Sequence, residues 1–148
     1  MSRRTAYPDA IAVIRGGADV PGLIGEVRFF QNKDSVTLSV GIDGLPYSES
    51  GFYGFHIHEG DSCTGTGFAD IGKHYNPTTL THPMHSGDLP PLLLCNGGAR
   101  MTVMTDRFRI GDIIGKTVVI HDMPDDFTTQ PSGNAGDKIA CGVIRRMR

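Results

Sequence analysis

The sequence predicts an all-β domain, and three observations carry that prediction. Its 20 glycines and 9 prolines are scattered along 148 residues, which leaves no long segment at helical period. Short runs rich in Val, Ile, Thr and Phe recur between them. Turn-forming clusters separate those runs: Gly16-Gly17, Asn32-Lys33-Asp34, Asp43-Gly44 and Asn96-Gly97-Gly98.

The expected strands follow in order. The first, 10–15, ends at the Gly16-Gly17 pair, and the second, 24–31, ends at Asn32-Lys33-Asp34. The third, 35–43, has the clearest pattern: Val36, Leu38, Val40 and Ile42 alternate with Ser35, Thr37, Ser39 and Gly41, as a half-buried strand requires. Further strands are expected at 54–59, 99–105, 117–122 and 138–144. Two segments break the rhythm. Residues 60–96 carry few strand signals, and 123–137 are similarly loop-like. Loops of that length inside a compact domain are usually functional or disordered.

The length fits a single domain, 1–148, large enough to bury roughly 70% of the surface its unfolded chain exposes. A net charge of -2 and a pI near 6.3 supply no global basic field for nucleic acid or an anionic membrane. No apolar run approaches the roughly 18 residues of a spanning helix, and Met1 to Ala10 is charged and polar, unlike a signal-peptide core. A cytoplasmic location is the expectation. Cys63, Cys95 and Cys141 lack zinc-finger spacing, and at most one intrachain pair can form among them.

All six histidines lie between positions 56 and 121: His56, His58, His74, His82, His85 and His121. His56 and His58 are two apart on a β-type run, so both imidazoles point to one face and can meet one ion. His121 ends another such run; His74, His82 and His85 sit in the long loop with Asp88 close behind. Imidazole is the commonest protein ligand for zinc and copper alike. Six histidines and one carboxylate suffice for two sites if one imidazolate serves both.

These residues resemble the copper-zinc superoxide dismutase family. Gly54-Phe55-His56-Ile57-His58-Glu59 is similar to the family strand that supplies two copper ligands, and Lys73-His74-Tyr75-Asn76-Pro77 to the segment carrying the bridging histidine. His82 and His85-Ser86-Gly87-Asp88 resemble the zinc histidines and zinc aspartate; Val118-Val119-Ile120-His121-Asp122 resembles the strand end that gives the last copper ligand. Gly133-Asn134-Ala135-Gly136 running into Ala140-Cys141-Gly142-Val143-Ile144 is similar to the C-terminal signature. The likeness runs from about Ala10 to Ile144.

The resemblance implies an eight-stranded antiparallel Greek-key β-barrel, flattened like an immunoglobulin sandwich, with two long functional loops. It implies copper held by His56, His58, His74 and His121, and zinc by His74, His82, His85 and Asp88. Copper, cycling between Cu(II) and Cu(I), would dismutate superoxide to dioxygen and hydrogen peroxide; Zn(II), without redox chemistry, would be structural. His74, bridging both, and Lys138 take the catalytic roles. Asp125 matches the carboxylate that orients a copper and a zinc histidine, expected to be His56 and His82. Cys63 and Cys141 match the family disulfide, leaving Cys95 as an expected buried free thiol. Superoxide is the implied substrate, with a second copy and a copper-delivery protein as partners.

Four departures from the family pattern stand out. Lys138 replaces the arginine expected three residues before Cys141, which keeps the charge and loses the planar fork. His82 and His85 are only three apart, 123–137 is short, and Glu59-Gly60-Asp61 is one residue shorter than usual. Gly133 and Asn134 read as turn formers. A copper- and zinc-binding module of the same fold with little turnover is the alternative function, motivated by Lys138 and the short loops. A zinc hydrolase finds no His-Glu-x-x-His pattern to support it.

Overall fold

A computed structural model describes residues 7–147; the opening residues 1–6, which make up most of the polar N-terminal stretch noted above, lie outside the described residues. Strands β1 (Ala10–Gly16), β2 (Ile24–Gln31) and β3 (Val36–Asp43) form a meander. They are followed by β4 (Phe52–Tyr53), β5 (Phe55–His58), β6 (Leu92–Leu93), β7 (Gly98–Thr105), β8 (Thr117–His121) and β9 (Lys138–Arg146). Seven strands make one antiparallel sheet in the order β5-β8-β9-β1-β2-β3-β7, which curls into a half-barrel. Pairing of β1 with β9, β3 with β7 and β5 with β8, none of them sequential, is the Greek-key crossing. The two-residue ladder β4-β6 joins the ends of this curl, since β4 runs into β5 and β6 turns at Cys95–Gly98 into β7. Helix occupies only 7% of the chain, as an all-β reading requires.

The alternation expected of β3 is present: Val36, Leu38, Val40 and Ile42 are buried and their neighbours half-exposed. They pack with Ala12, Ile14, Val27 and Phe29 into the core. Strands β5 and β8 differ, being buried on both faces. Phe55, Ile57, Val118 and Ile120 face the core, while His56, His58 and His121 lie on the opposite face and are still buried. The loop 60–96 covers that second face.

The loop is anchored along the free edge of β5. The Ile57 N–H donates to Gly87 O (2.8 Å), the Tyr75 N–H to Ile57 O (2.8 Å) and the Glu59 N–H to Lys73 O (2.8 Å), which brings His74 opposite His58 and Asp88 opposite His56. A Cβ at Gly87 would stand 2.2 Å from Ile57 O, so only glycine lets the backbones approach this closely. Farther along, a 3-10 turn at Thr66–Ile71 packs Ile71 on Val119 and Cys141, and Cys63 is bonded to Cys141 across a separation of 78 residues. A one-turn helix, α1 (Ile110–Ile113), buries Ile110 and Ile113; its Asp112 carboxylate accepts the Arg109 N–H at 2.9 Å.

Cys95 corrects one expectation. It is free, as anticipated, but exposed, because the Cys95–Gly98 turn sits outside the packed face. No helix among the described residues is long and apolar enough to cross a membrane.

Candidate metal centre

Two donor sets meet where β5, β8 and the loop converge. His56, His58, His74 and His121 each offer a ring nitrogen within 4.8 Å of the others, and His74, His82, His85 and Asp88 do the same. His74 belongs to both. All seven residues are buried, and the ladder break between Ile120 and His121 re-aims the His121 ring at the end of β8.

The acceptors around each ring fix its tautomer. His56 Nε2–H donates to Asp125 Oδ2 (2.8 Å) and His82 Nε2–H to Asp125 Oδ1 (2.7 Å). His58 Nδ1–H donates to Gly72 O at 2.9 Å, and His121 Nδ1 lies 3.5 Å from Gly136 O. The remaining nitrogens therefore turn bare lone pairs inward. His58 Nε2 and His121 Nε2 face each other at 3.4 Å, and neither has a hydrogen to share. A neutral His74 donates Nδ1–H to Asp88 Oδ1 (2.7 Å), leaving its Nε2 without a partner, as are His56 Nδ1 and His82 Nδ1.

Buried nitrogens so arranged are costly unless a cation satisfies them. The first set is all nitrogen and suits copper. The second is three nitrogens and one carboxylate, a structural zinc set. His82 Nδ1 and His85 Nδ1 stand 3.0 and 3.2 Å from Asp88 Oδ2, and His85 Nδ1 stands 3.4 Å from His74 Nδ1. A tetrahedron with zinc–nitrogen bonds near 2 Å has edges of about 3.3 Å, so the donors fit the ion.

Electrostatics agree with that reading. Burial pushes the His58 imidazole down to about 2 and His121 to about 3, with neighbouring histidines adding to the effect. Burial also lowers His56 and His85. A cage that refuses protons on these rings keeps their lone pairs for metal. Burial opposes ionisation of Asp125, but the bonds from His56, His82 and the Phe127 N–H outweigh it and hold the carboxyl far below its usual range. Asp88 is lowered likewise by its histidine partners against the cost of burial.

Lys138 opens β9 directly across the ladder from His121, and its charge adds to the lowering of that imidazole. It is half-buried and lines a surface cavity with Gly65, Thr66, Asp122 and Gly136. Asp122 and Asp137 latch the base of the loop 123–137, through Asp122 N–H to Asp137 O at 2.9 Å and Asp137 N–H to Asp122 Oδ1 at 2.8 Å.

Three residues of the site escaped sequence reasoning in whole or in part. Gly133, read as a turn former, has φ of 72°, and a Cβ there would fall 2.0 Å from Asp125 Oδ1. It is needed for close approach as well as for the turn. Gln130 and Arg107 bond the backbone of the turn that carries His82, His85 and Asp88, and no motif marks either.

Comparison with known proteins bears on this arrangement. A family model described as copper/zinc superoxide dismutase matches residues 23–144. Over 141 residues the chain is 32% identical to superoxide dismutase (Cu-Zn) 2 of Aquifex aeolicus, covering 83% of this chain and 80% of that protein. It is 34% identical to the copper-zinc superoxide dismutase of Legionella pneumophila, covering 93% and 87%. To the extracellular copper-zinc superoxide dismutase of Drosophila melanogaster it is 37% identical, covering 81% and 74%.

Proposed function

The chain belongs to the copper/zinc superoxide dismutase family, and from that premise we propose that it dismutates superoxide with copper on His56, His58, His74 and His121 and zinc on His74, His82, His85 and Asp88. The observation that carries this reading is His74, which belongs to both donor sets, with Nδ1 2.7 Å from Asp88 Oδ1 and 3.4 Å from His85 Nδ1 and with Nε2 buried and unpartnered.

When bound, copper supplies one-electron redox chemistry and zinc a fixed positive charge. The chain's own residues do the rest. Asp125 holds His56 and His82 in the tautomers that leave Nδ1 of each free. His74 Nε2 is the nitrogen that can take a proton and pass it on, because Nδ1 is engaged beside Asp88. Two superoxide anions and two protons give dioxygen and hydrogen peroxide. Lys138, beside His121, draws the anion in by charge. Residues 1–148 act as one domain in this reading.

The same reading takes the cytoplasm as location, and a second copy and a copper-delivery protein as partners. Light scattering on the purified chain tests the dimer. The test of function is superoxide decay on protein loaded with one copper and one zinc. Rapid decay supports an enzyme; full loading with negligible decay would leave the metal-binding module in its place.

A further inference from the structure

Three of the four proposed zinc donors, His82, His85 and Asp88, come from a short turn with no regular structure, yet two side chains that are not donors grip its backbone. At its start, Gln130 pairs with His82 in both directions: the His82 N–H donates to Gln130 Oε1 at 2.9 Å, and Gln130 Nε2–H donates to His82 O at 2.7 Å. A side-chain amide thus imitates a strand neighbour. At its end, Arg107 Nη1 gathers the carbonyls of Pro83 (2.7 Å), His85 (3.2 Å) and Asp88 (3.4 Å). Arg107 comes from the segment after β7 and Gln130 from the loop 123–137, so the turn is held from two independent parts of the fold.

An arginine on a surface usually meets one acceptor and contributes little. Convergence of three carbonyls from one turn on one nitrogen is a different arrangement, because it fixes their mutual spacing. Charge-assisted bonds of this kind are stronger than neutral ones. The donors His82, His85 and Asp88 lie within the seven-residue span, 82–88, that these contacts cover, and the Asp88 carboxylate also accepts the His85 N–H at 3.0 Å.

We infer that Arg107 and Gln130 are positioning residues for zinc: together they hold the turn 82–88 with its donors converged. The inference rests on the assignment of zinc to His74, His82, His85 and Asp88. A turn held in this way needs little ordering when the ion enters, so the ion's affinity reflects the clamp.

The test measures the zinc dissociation constant of the full chain by competition with a chromophoric chelator, alongside the absorption bands of cobalt(II) placed in the zinc position. Arg107→Met and Gln130→Met are each expected to weaken zinc about tenfold and to shift the cobalt bands. Arg107→Lys, which keeps a cationic donor for the carbonyls, should recover part of the loss. Arg100→Met is the control, since Arg100 also bonds backbone carbonyls, those of Ile42 and Ala99, and should leave zinc affinity unchanged. If Arg107→Met does not fold, Gln130→Met tests the clamp from its other side. Zinc constants within twofold of the parent for the folded variants, with unchanged cobalt bands, overturn the inference. A parent chain that takes up no zinc overturns the metal assignment and the clamp together.

Discussion

His56, His58 and His121 stand on β5 and at the end of β8, strands paired through the ladder of the main sheet, whereas His74, His82, His85 and Asp88 come from the loop 60–96. For the three strand-borne donors of the proposed copper set, the backbone bonds that fold the protein also set their spacing. The loop-borne donors of the proposed zinc set need separate ties: the edge of β5, the Cys63–Cys141 bond, Asp125, Gln130 and Arg107. Ligand geometry inherited from a sheet should therefore survive perturbations that dissolve geometry assembled from a loop.

Acid should produce the largest effect and tests how rigid the strand-borne half is. The folded pKa values of His58 and His121 lie at about 2 and about 3, below the 6.5 of an unfolded chain. Below that pH the unfolded chain binds protons the folded cage refuses. In protein stripped of metal, stability is complete above about 6.5 and falls as pH drops towards 3, by roughly 1.4 kcal/mol per pH unit for each such ring. Urea unfolding at pH 7, 6 and 5 measures the slope. A midpoint that does not move between pH 7 and 5 would mean the rings relax to accept protons, which ends the claim of rigidity.

Reducing the disulfide strikes the loop-borne half. For a separation of 78 residues, the chain-entropy model gives at most about 4.5 kcal/mol of lost stability. Unfolding curves with and without reductant should show that loss, and zinc should leave the reduced protein before copper does. Copper leaving first would reverse the comparison.

Asp125 serves both halves, so Asp125→Ala sharpens the contrast within one variant. Metal affinity is expected to fall about 10- to 100-fold, more for zinc, because His56 keeps its strand and His82 loses one of its ties. Separate competition titrations for the two metals measure the difference. The smallest effect belongs to Lys138. Lys138→Glu should slow superoxide decay about tenfold and reverse its dependence on salt, and Lys138→Arg should raise the rate with little change in that dependence. An unaltered rate and salt slope in Lys138→Glu at full copper loading would make Lys138 a bystander.

The strands were readable because alternation and turn residues bracket them: 24–31 coincides with β2, and 138–144 falls short of β9 only by Arg145 and Arg146, whose charges hide the end of a strand. The ladder Phe52–Tyr53 with Leu92–Leu93 was not readable, since two residues show no period. Helix α1 is a single turn, too short for an apolar stripe. Within the site, each donor was visible as a histidine or an aspartate, because metal chemistry restricts residue type. Arg107 and Gln130 were invisible because their work is done on backbone atoms, for which the sequence holds no sign. Cys95 misled because the tendency of thiols to be buried is a matter of composition, and its exposure follows from where one turn sits.

Asp125 has a further consequence. One oxygen of its carboxylate holds a ring from the first donor set and the other oxygen a ring from the second, while His74 stands in both. Where the two sets each hold an ion, as proposed, these shared residues couple the two binding events. Whatever factor the first ion applies to the affinity of the second, the second must return to the first, because the coupling free energy belongs to the pair. Order of loading can alter the path and the speed, but the doubly loaded state is reached with the same total free energy. The stepwise constants along the two orders of loading therefore multiply to the same product, so any three of the four fix the last.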